Sequence, residues 1–440
     1  MQISLNSLVR NVLITILLIV VILLAWYGYE IFLNKGSNDD SSSDITTQVS
    51  QGLNDAVINF ESGDLATSRK HYQQVVDMVT NSENQSQIAR EELDTTSILA
   101  DANVGLASID RQDAGLQMQS QMRQGNYSFE TLANSPESAS SLASFVSVAN
   151  SNENSAEFRA AALNRIVSTY TDMWSNYLLP IKYVYTLSPW NQNYQKHLTD
   201  VKTNASVSET DAMQIANGLT LIDILEQSES IIKNTEASAK KALIIAQLLH
   251  TPYGRSLSEA ERNNYWTELG SALNTQPQPF YRAGTKYVCY QYFSLARAAS
   301  LVANETDLPA SLKGYVDNVA NTYEQAIGYC ESHLADSGLM TADSGVRLYY
   351  ASYLWNTQGE TAIAKINQVI QPVLDSVNDE RWDYSGFLMM LRMSPIHASE
   401  MHITLPLIAE DNPNLKTYIN GLGINLDNMK NVKTELFKFF

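Results

Sequence analysis

ITTQVSQGLNDAVINFESGDLATSRKHYQQVVDMVT, residues 45–80, carries the pattern that decides the fold. Ile45, Val49, Leu53, Ala56, Val57 and Phe60 recur at steps of three and four, which puts them on one face of a helix. Gly63-Asp64 breaks that stripe, and a second one follows at once: Leu65, Tyr72, Val75, Val76 and Val79. Two amphipathic helices joined by so tight a corner make an αα-hairpin.

Similar stripes recur along the chain. They run over Ile88–Ile109, Phe158–Tyr177, Ala212–Ile232, Ala237–Leu249 and Tyr349–Val373. No stretch alternates at period two for long enough to be a strand, so the expected class is all-α, with hairpins stacked in a solenoid-like array. Residues 134–154 are rich in Ser and low in charge, and read as a loop flanking one short helix. Prolines at 180, 189, 252, 277 and 279 mark further breaks.

Ahead of the first hairpin lies VLITILLIVVILLA, Val12 to Ala25, with Thr15 its one polar residue. Extended through Leu33, it approaches the ~20 residues that cross a bilayer as a helix. Val12, Leu13, Ile14, Leu17, Leu18, Val21 and Leu24 form the apolar core of this expected anchor, and Trp26 and Tyr27 its interfacial end. Arg10 and the short N-terminal tail orient it with the N-terminus inside, so the bulk of the chain is expected outside the cytoplasm, tethered to a cytoplasmic membrane. The opposite orientation is one alternative. A cleaved signal peptide is another, but Ala25 is followed by bulky Trp26 and Tyr27 rather than small residues. Residues 36–47, GSNDDSSSDITT, read as a flexible tether. The expected layout is a tail and anchor over 1–34, a tether over 35–47, an N-terminal helical-repeat lobe over 48–180 and a C-terminal helical lobe over 181–440.

The net charge of -18 repels phosphate backbones and argues against nucleic-acid binding. Two cysteines are too few for a disulfide framework. Both fall on expected helices, Tyr287–Val302 and Leu312–Leu334, whose connector centres near Thr306. Cys289 stands 17 residues before that point and Cys330 stands 24 after it. A bridge requires Cα atoms within ~7 Å, so pairing needs an asymmetric loop or a tilt. Two buried free thiols are the expectation and a disulfide the alternative.

The first hairpin resembles a tetratricopeptide repeat. Gly63-Asp64 is the corner, Ala56 a small residue of the first helix and Tyr72 the locking aromatic, with Ser68 where the family prefers Ala. A second match is YYASYLWNTQGETAIAKI, residues 349–366. There Gly359-Glu360 is the corner, Ser352 the small residue, Trp355 the aromatic and Ala364 the close-packing alanine. A third has Gly105 on its first helix and Asp113 at its corner. The corners are not spaced at the family's interval, and its proline after the second helix is missing. The resemblance implies stacked hairpins whose surface binds protein segments.

Motifs for chemistry are sparse. There is no G-x-S-x-G, H-E-x-x-H, P-loop or C-x-x-C. His397, Glu400 and His402 are close in sequence, but a spacing of five keeps the histidines off one helical face. The aromatic run Tyr281, Tyr287, Tyr290, Tyr292 and Phe293 reads as interhelical packing, with the cleft of a sugar-processing α/α barrel as the alternative. No catalytic residue, metal ligand or cofactor is assigned. The expected function is a non-enzymatic scaffold or protein-binding module, with the bilayer and an unidentified protein as partners. The alternative is an α/α-toroid carbohydrate-active enzyme or a glycan-binding protein. The topology is directly testable: a reporter active only outside the cytoplasm, fused to the C-terminus, should be active. An inactive fusion, or a mature chain beginning between Trp26 and Thr47, would refute the anchor.

Overall fold

The structure is a computed structural model. It describes residues 44–122, 136–170, 190–281, 285–303, 305, 308–334 and, with a few gaps, 346–375. The anchor residues from Val12 to Tyr27, Trp355 and the His397–His402 stretch lie outside the described residues. Among those described, every regular element is helical and no helix is long and apolar enough to cross a membrane.

The first hairpin consists of α1, Ile45–Glu61, and α2, Leu65–Thr80. Asp44 caps α1 by accepting from the Thr46 amide at 3.1 Å, so the helix starts inside the segment expected to be tether. Glu91 reaches back to the same turn, accepting from the Thr46 amide at 3.0 Å and its hydroxyl at 2.9 Å. Gly63 turns the corner at φ +83°, a left-handed conformation that glycine adopts without a Cβ penalty. Asp64 then caps α2 through the Thr67 amide at 3.0 Å. Ser68 is fully buried and donates to the Ala56 carbonyl at 2.7 Å, so the small-residue position is also a polar tie between the helices.

The chain continues through α3, Gln85–Arg90, and α4, Thr95–Met122. The stripe expected to run unbroken over Ile88–Ile109 is divided here, because Glu92 turns at φ +51° and Asp94 restarts the helix by capping Ser97 at 3.1 Å. Gly105 lies under the Tyr72 ring, where a Cβ would come within 2.2 Å of the ring carbon, so α2 and α4 meet at a distance only glycine permits. The corner expected at Asp113 does not exist: α4 runs through it. Asp113 instead takes one arm of Arg69 at 2.8 Å while Asp110 takes the other at 2.7 Å.

Next come α5, Pro136–Asn150, and α6, Ala156–Tyr170. The Ser-rich segment expected to be mainly loop is largely α5. Its buried Ser138 and Ser141 are small enough for close packing, and Leu142, Phe145, Val148 and Ala149 supply the apolar face. After α7, Asn191–Asn204, the long α8, Glu209–Ile231, turns into α9, Thr235–His250. In α9, residues Ala242 to Leu249 are all buried, which marks a helix surrounded by others. The remaining helices are α10, Pro252–Ser256, α11, Glu259–Leu273, α12, Thr285–Val302, α13, Lys313–Val316, α14, Val319–Leu334 and α15, Ile363–Asp375.

Neighbours in sequence are neighbours in space. The stack runs α1, α2, α4, α5, α6, α8, α9, α12, α14, with α7 packed on α8 and α11 on α9. One apolar core joins Phe158, Leu163 and Ile166 of α6 to Ile222, Leu243 and Ile244 further on. A lobe boundary at residue 180 would cut through that core. The apolar grouping that does stand apart is the first hairpin with α3 and α4, from Ile45 to Ile109.

Cys289 and Cys330 form a disulfide, with Cα atoms 5.3 Å apart and both residues fully buried. The expectation of free thiols is thereby corrected. Its error was the start of the second helix: residues 310–318 form a short 3-10 turn and α13, and α14 begins at Val319 rather than near Leu312. Cys289 then lies 13 residues before the end of α12 and Cys330 lies 11 after the start of α14, so the two are level.

At the second corner Gly359 has φ +59°. Ala364, expected to pack against the preceding helix, is exposed. The turn over Gly359–Ala362 is 3-10, which advances more degrees per residue than an α-helix and rotates the apolar face back to Ala362, Ile366 and Val369. Ala362→Glu should therefore bury a charge and lower the melting temperature clearly, while Ala364→Glu should stay within about 0.5 kcal/mol of the parent. A thermal melt in which the two variants behave alike would contradict this register.

Candidate functional site

The first hairpin opens a groove of about 540 Å³ between α1 and α2. Gln48, Gln51, Gly52 and Asp55 line it from α1. His71, Gln74, Asp77 and Met78 line it from α2, and Asn81 and Asn84 from the turn that follows. The helical periodicity that sends Val49, Leu53 and Ala56 into the core sends these residues to the outer side. Gly52 forms part of the wall because Val75 approaches to 2.8 Å of where its Cβ would stand. The lining has no Phe, Tyr or Trp ring, and its polar groups are mostly amides, each able to donate and accept. Asn84 is partly committed, donating to the Met78 carbonyl at 2.9 Å, and Asp77 accepts from Gln73 at 3.0 Å.

The two best repeat corners are thus placed differently. Tyr72 is buried, Gly63-Asp64 turns the first hairpin, and the groove lies on the other side of Asp55 and His71 from that corner, toward the open end of the hairpin. The groove itself was not singled out from the sequence. The signal was present as the second polar stripe, Gln48, Gln51 and Asp55 facing His71, Gln74 and Asp77.

The strongest electrostatic feature lies elsewhere, deep in the main core. Glu236 of α9 is 1% exposed, and its Oε1 accepts from Arg165 of α6 and, at 2.6 Å, from Lys240 one turn further along α9. Lys240 spends its other protons on the Asn164 carbonyl at 3.0 Å and the Ser168 hydroxyl at 2.6 Å. Asn164 donates to Asn234 at 2.9 Å and accepts from Ser228 at 2.9 Å, which brings α8 into the same network. The Arg165 guanidinium also lies 3.4 Å over the Tyr287 ring of α12. Burial pushes the Lys240 ammonium down to about 8, with Glu236 opposing and Arg165 adding to the shift. For Glu236, burial raises the carboxyl, but Arg165 and Lys240 outweigh it and hold it below its ordinary value.

A second charged group is partly buried. Lys241 bridges Glu229 at 2.7 Å and Glu268 at 3.5 Å, and Asp223 accepts from Asn193 at 2.9 Å beside His197 at 2.8 Å. Burial raises the Glu226 carboxyl nearby, with Lys241 opposing and Glu268, Asp223 and Glu229 adding to the rise. His250 is likewise held, by Glu305 at 2.8 Å. Among the described residues no three His, Cys, Asp or Glu side chains are grouped to hold a metal.

The aromatic run packs between helices. Tyr290 meets Tyr287 edge-on, Tyr292 meets Tyr329 at 5.0 Å, and Phe293 meets Tyr349 at 5.4 Å. Tyr281 stacks on Phe158 at 5.3 Å and donates to Asp101 at 3.2 Å, although its φ of +54° is a strained value for a residue with a Cβ.

Comparison of the chain with protein families, with characterised proteins and with solved structures finds no match.

The buried network makes a prediction about pH. The folded carboxyl of Glu236 titrates below the unfolded value, so the unfolded state holds more protons in between. Its stabilisation is complete above pH ~4.5 and is lost as pH falls through the depressed value. Glu236→Gln leaves Arg165 and Lys240 without their anion and should cost about 3–5 kcal/mol at pH 7. The gap between variant and parent in chemical denaturation should narrow as pH drops from 7 to 3. An equal gap at both values would remove Glu236 from this role.

Proposed function

We propose that this chain is a membrane-anchored helical-repeat protein, its bulk outside the cytoplasm, that acts as a scaffold or protein-binding module. The observation that carries the reading is the Cys289–Cys330 disulfide. Such bridges persist in oxidising compartments and are rare where cellular reductants keep thiols reduced. It supports the same side of the membrane as the apolar segment from Val12 to Leu33 and the short tail before it.

The binding half of the reading is supported by the sequential stack. An array in which each helix meets mainly its neighbours offers long continuous surfaces, and such surfaces suit polypeptide partners. The open groove on the first hairpin is one such surface, only a short tether away from the anchor. The decisive experiment is crosslinking of the full chain in its native membrane with a reagent that cannot cross the bilayer, followed by mass spectrometry. Reproducible crosslinks from the stacked helices to a second protein are expected. A chain inaccessible to the reagent, or one crosslinked to nothing but itself, would defeat the proposal. Glycan hydrolysis by the purified protein would favour the toroid enzyme instead.

A further inference from the structure

We infer that the groove between α1 and α2 binds an extended, cationic polypeptide segment. The inference rests on the protein-binding reading and adds the partner's chemistry and the place where it docks.

Three observations converge on it. The first is the dimension of the groove. From His71 to Asn81 its α2 wall is eleven residues of helix and turn, ten steps or ~15 Å at ~1.5 Å per step. An extended chain covers that length in about four or five residues at ~3.3 Å each. The second is unspent hydrogen-bonding capacity. The side chains of Gln51, Asp55, His71 and Gln74 face the groove and make no hydrogen bond or ion pair with the described residues. Gln51 and Gln74 stand on opposite walls, and an amide can both donate to a peptide carbonyl and accept from a peptide N–H. The lining offers no Phe, Tyr or Trp platform on which a sugar ring would stack.

The third is charge. Asp55 on one wall and Asp77 on the other have no cationic partner among the described residues. The one basic residue of the hairpin with a strong fixed partner, Arg69, is turned away and held by Asp110 and Asp113. Between Asp44 and Asp94 the acidic residues outnumber Arg69, Lys70 and Arg90 by six. Lys or Arg side chains entering the groove would meet Asp55 on one wall and Asp77 on the other and give each carboxylate charge-assisted hydrogen bonds. An acidic segment would meet repulsion at the same place.

The test uses the full chain in nanodiscs and a labelled nonapeptide of alternating Lys and Gly, with the matching Glu–Gly peptide as control. Fluorescence anisotropy should show saturable binding of the Lys peptide that weakens as salt is raised, and none of the Glu peptide. The Asp55→Asn, Asp77→Asn double variant, isosteric and on the surface, should bind the Lys peptide about tenfold or more weakly while its helical circular dichroism is unchanged. A second variant, Gln51→Ala with Gln74→Ala, should weaken binding without altering its salt dependence. No saturation by ~1 mM Lys peptide, or equal binding by the double Asn variant, would overturn the inference. Crosslinks to a partner that survive in the double Asn variant, alongside such a result, would place the partner elsewhere on the stack and leave the scaffold reading standing.

Discussion

The buried Arg165–Glu236–Lys240 arrangement is the constraint on which the rest of the stack depends. It sits where α6, α8, α9 and α12 converge, and it involves a full negative charge at 1% exposure. Such a charge is tolerable only if its cations and their remaining donors are all fixed. Asn164, Ser168, Ser228 and Asn234 do that fixing, so the polar network prescribes the register of α6, α8 and α9 at once. Apolar contacts among Leu163, Ile166, Ile222 and Leu243 would tolerate a slip of one helix along another far better than these bonds do. One oxygen of Glu236 has no hydrogen-bond partner, which adds to the cost of the arrangement and is offset by the packing around it.

Away from that centre, close approach is achieved with small residues. Gly105 receives the Tyr72 ring, Gly52 receives Val75, and Ser68 reaches the backbone of α1. These contacts bring the first hairpin and α4 together into a separate apolar group. Tyr281 connects that group to the main core, stacking on Phe158 of α6 while bonding to Asp101 of α4. Its strained backbone is the cost of a residue that serves two elements from one turn.

Periodicity made the helices and the Gly63 corner legible before any coordinates, because apolar spacing reports directly on which face is buried. It failed where local rules compete. The Ser-rich α5 lacks charge and looks like loop, yet serine is small enough to be buried where helices cross. The face of the second hairpin was misplaced because a 3-10 turn between Gly359 and Ala362 changes the phase, and sequence alone does not announce that geometry. The cysteine offset was misjudged for a related reason: α13 absorbs residues that a simple hairpin would have given to α14. The polar network was not legible at all. Its members are separated by as many as 76 residues, and single Asn, Ser, Lys and Glu positions carry no periodic signal. The groove falls between these cases, since its two polar stripes are visible in the sequence but their facing one another is not.

The disulfide also has a mechanical meaning. Any chain pulled from two points experiences tension along its length. Helices stacked in sequence give way under load one after another, each lengthening the chain. The bridge between Cys289 and Cys330 closes a loop with a separation of 41 residues, and that loop cannot extend even after its helices have melted. At ~3.3–3.6 Å per residue it withholds about 140 Å of contour from the stretched chain. The α12–α14 region would then act as a stop, limiting how far a load can draw apart the segments on either side of the bridge.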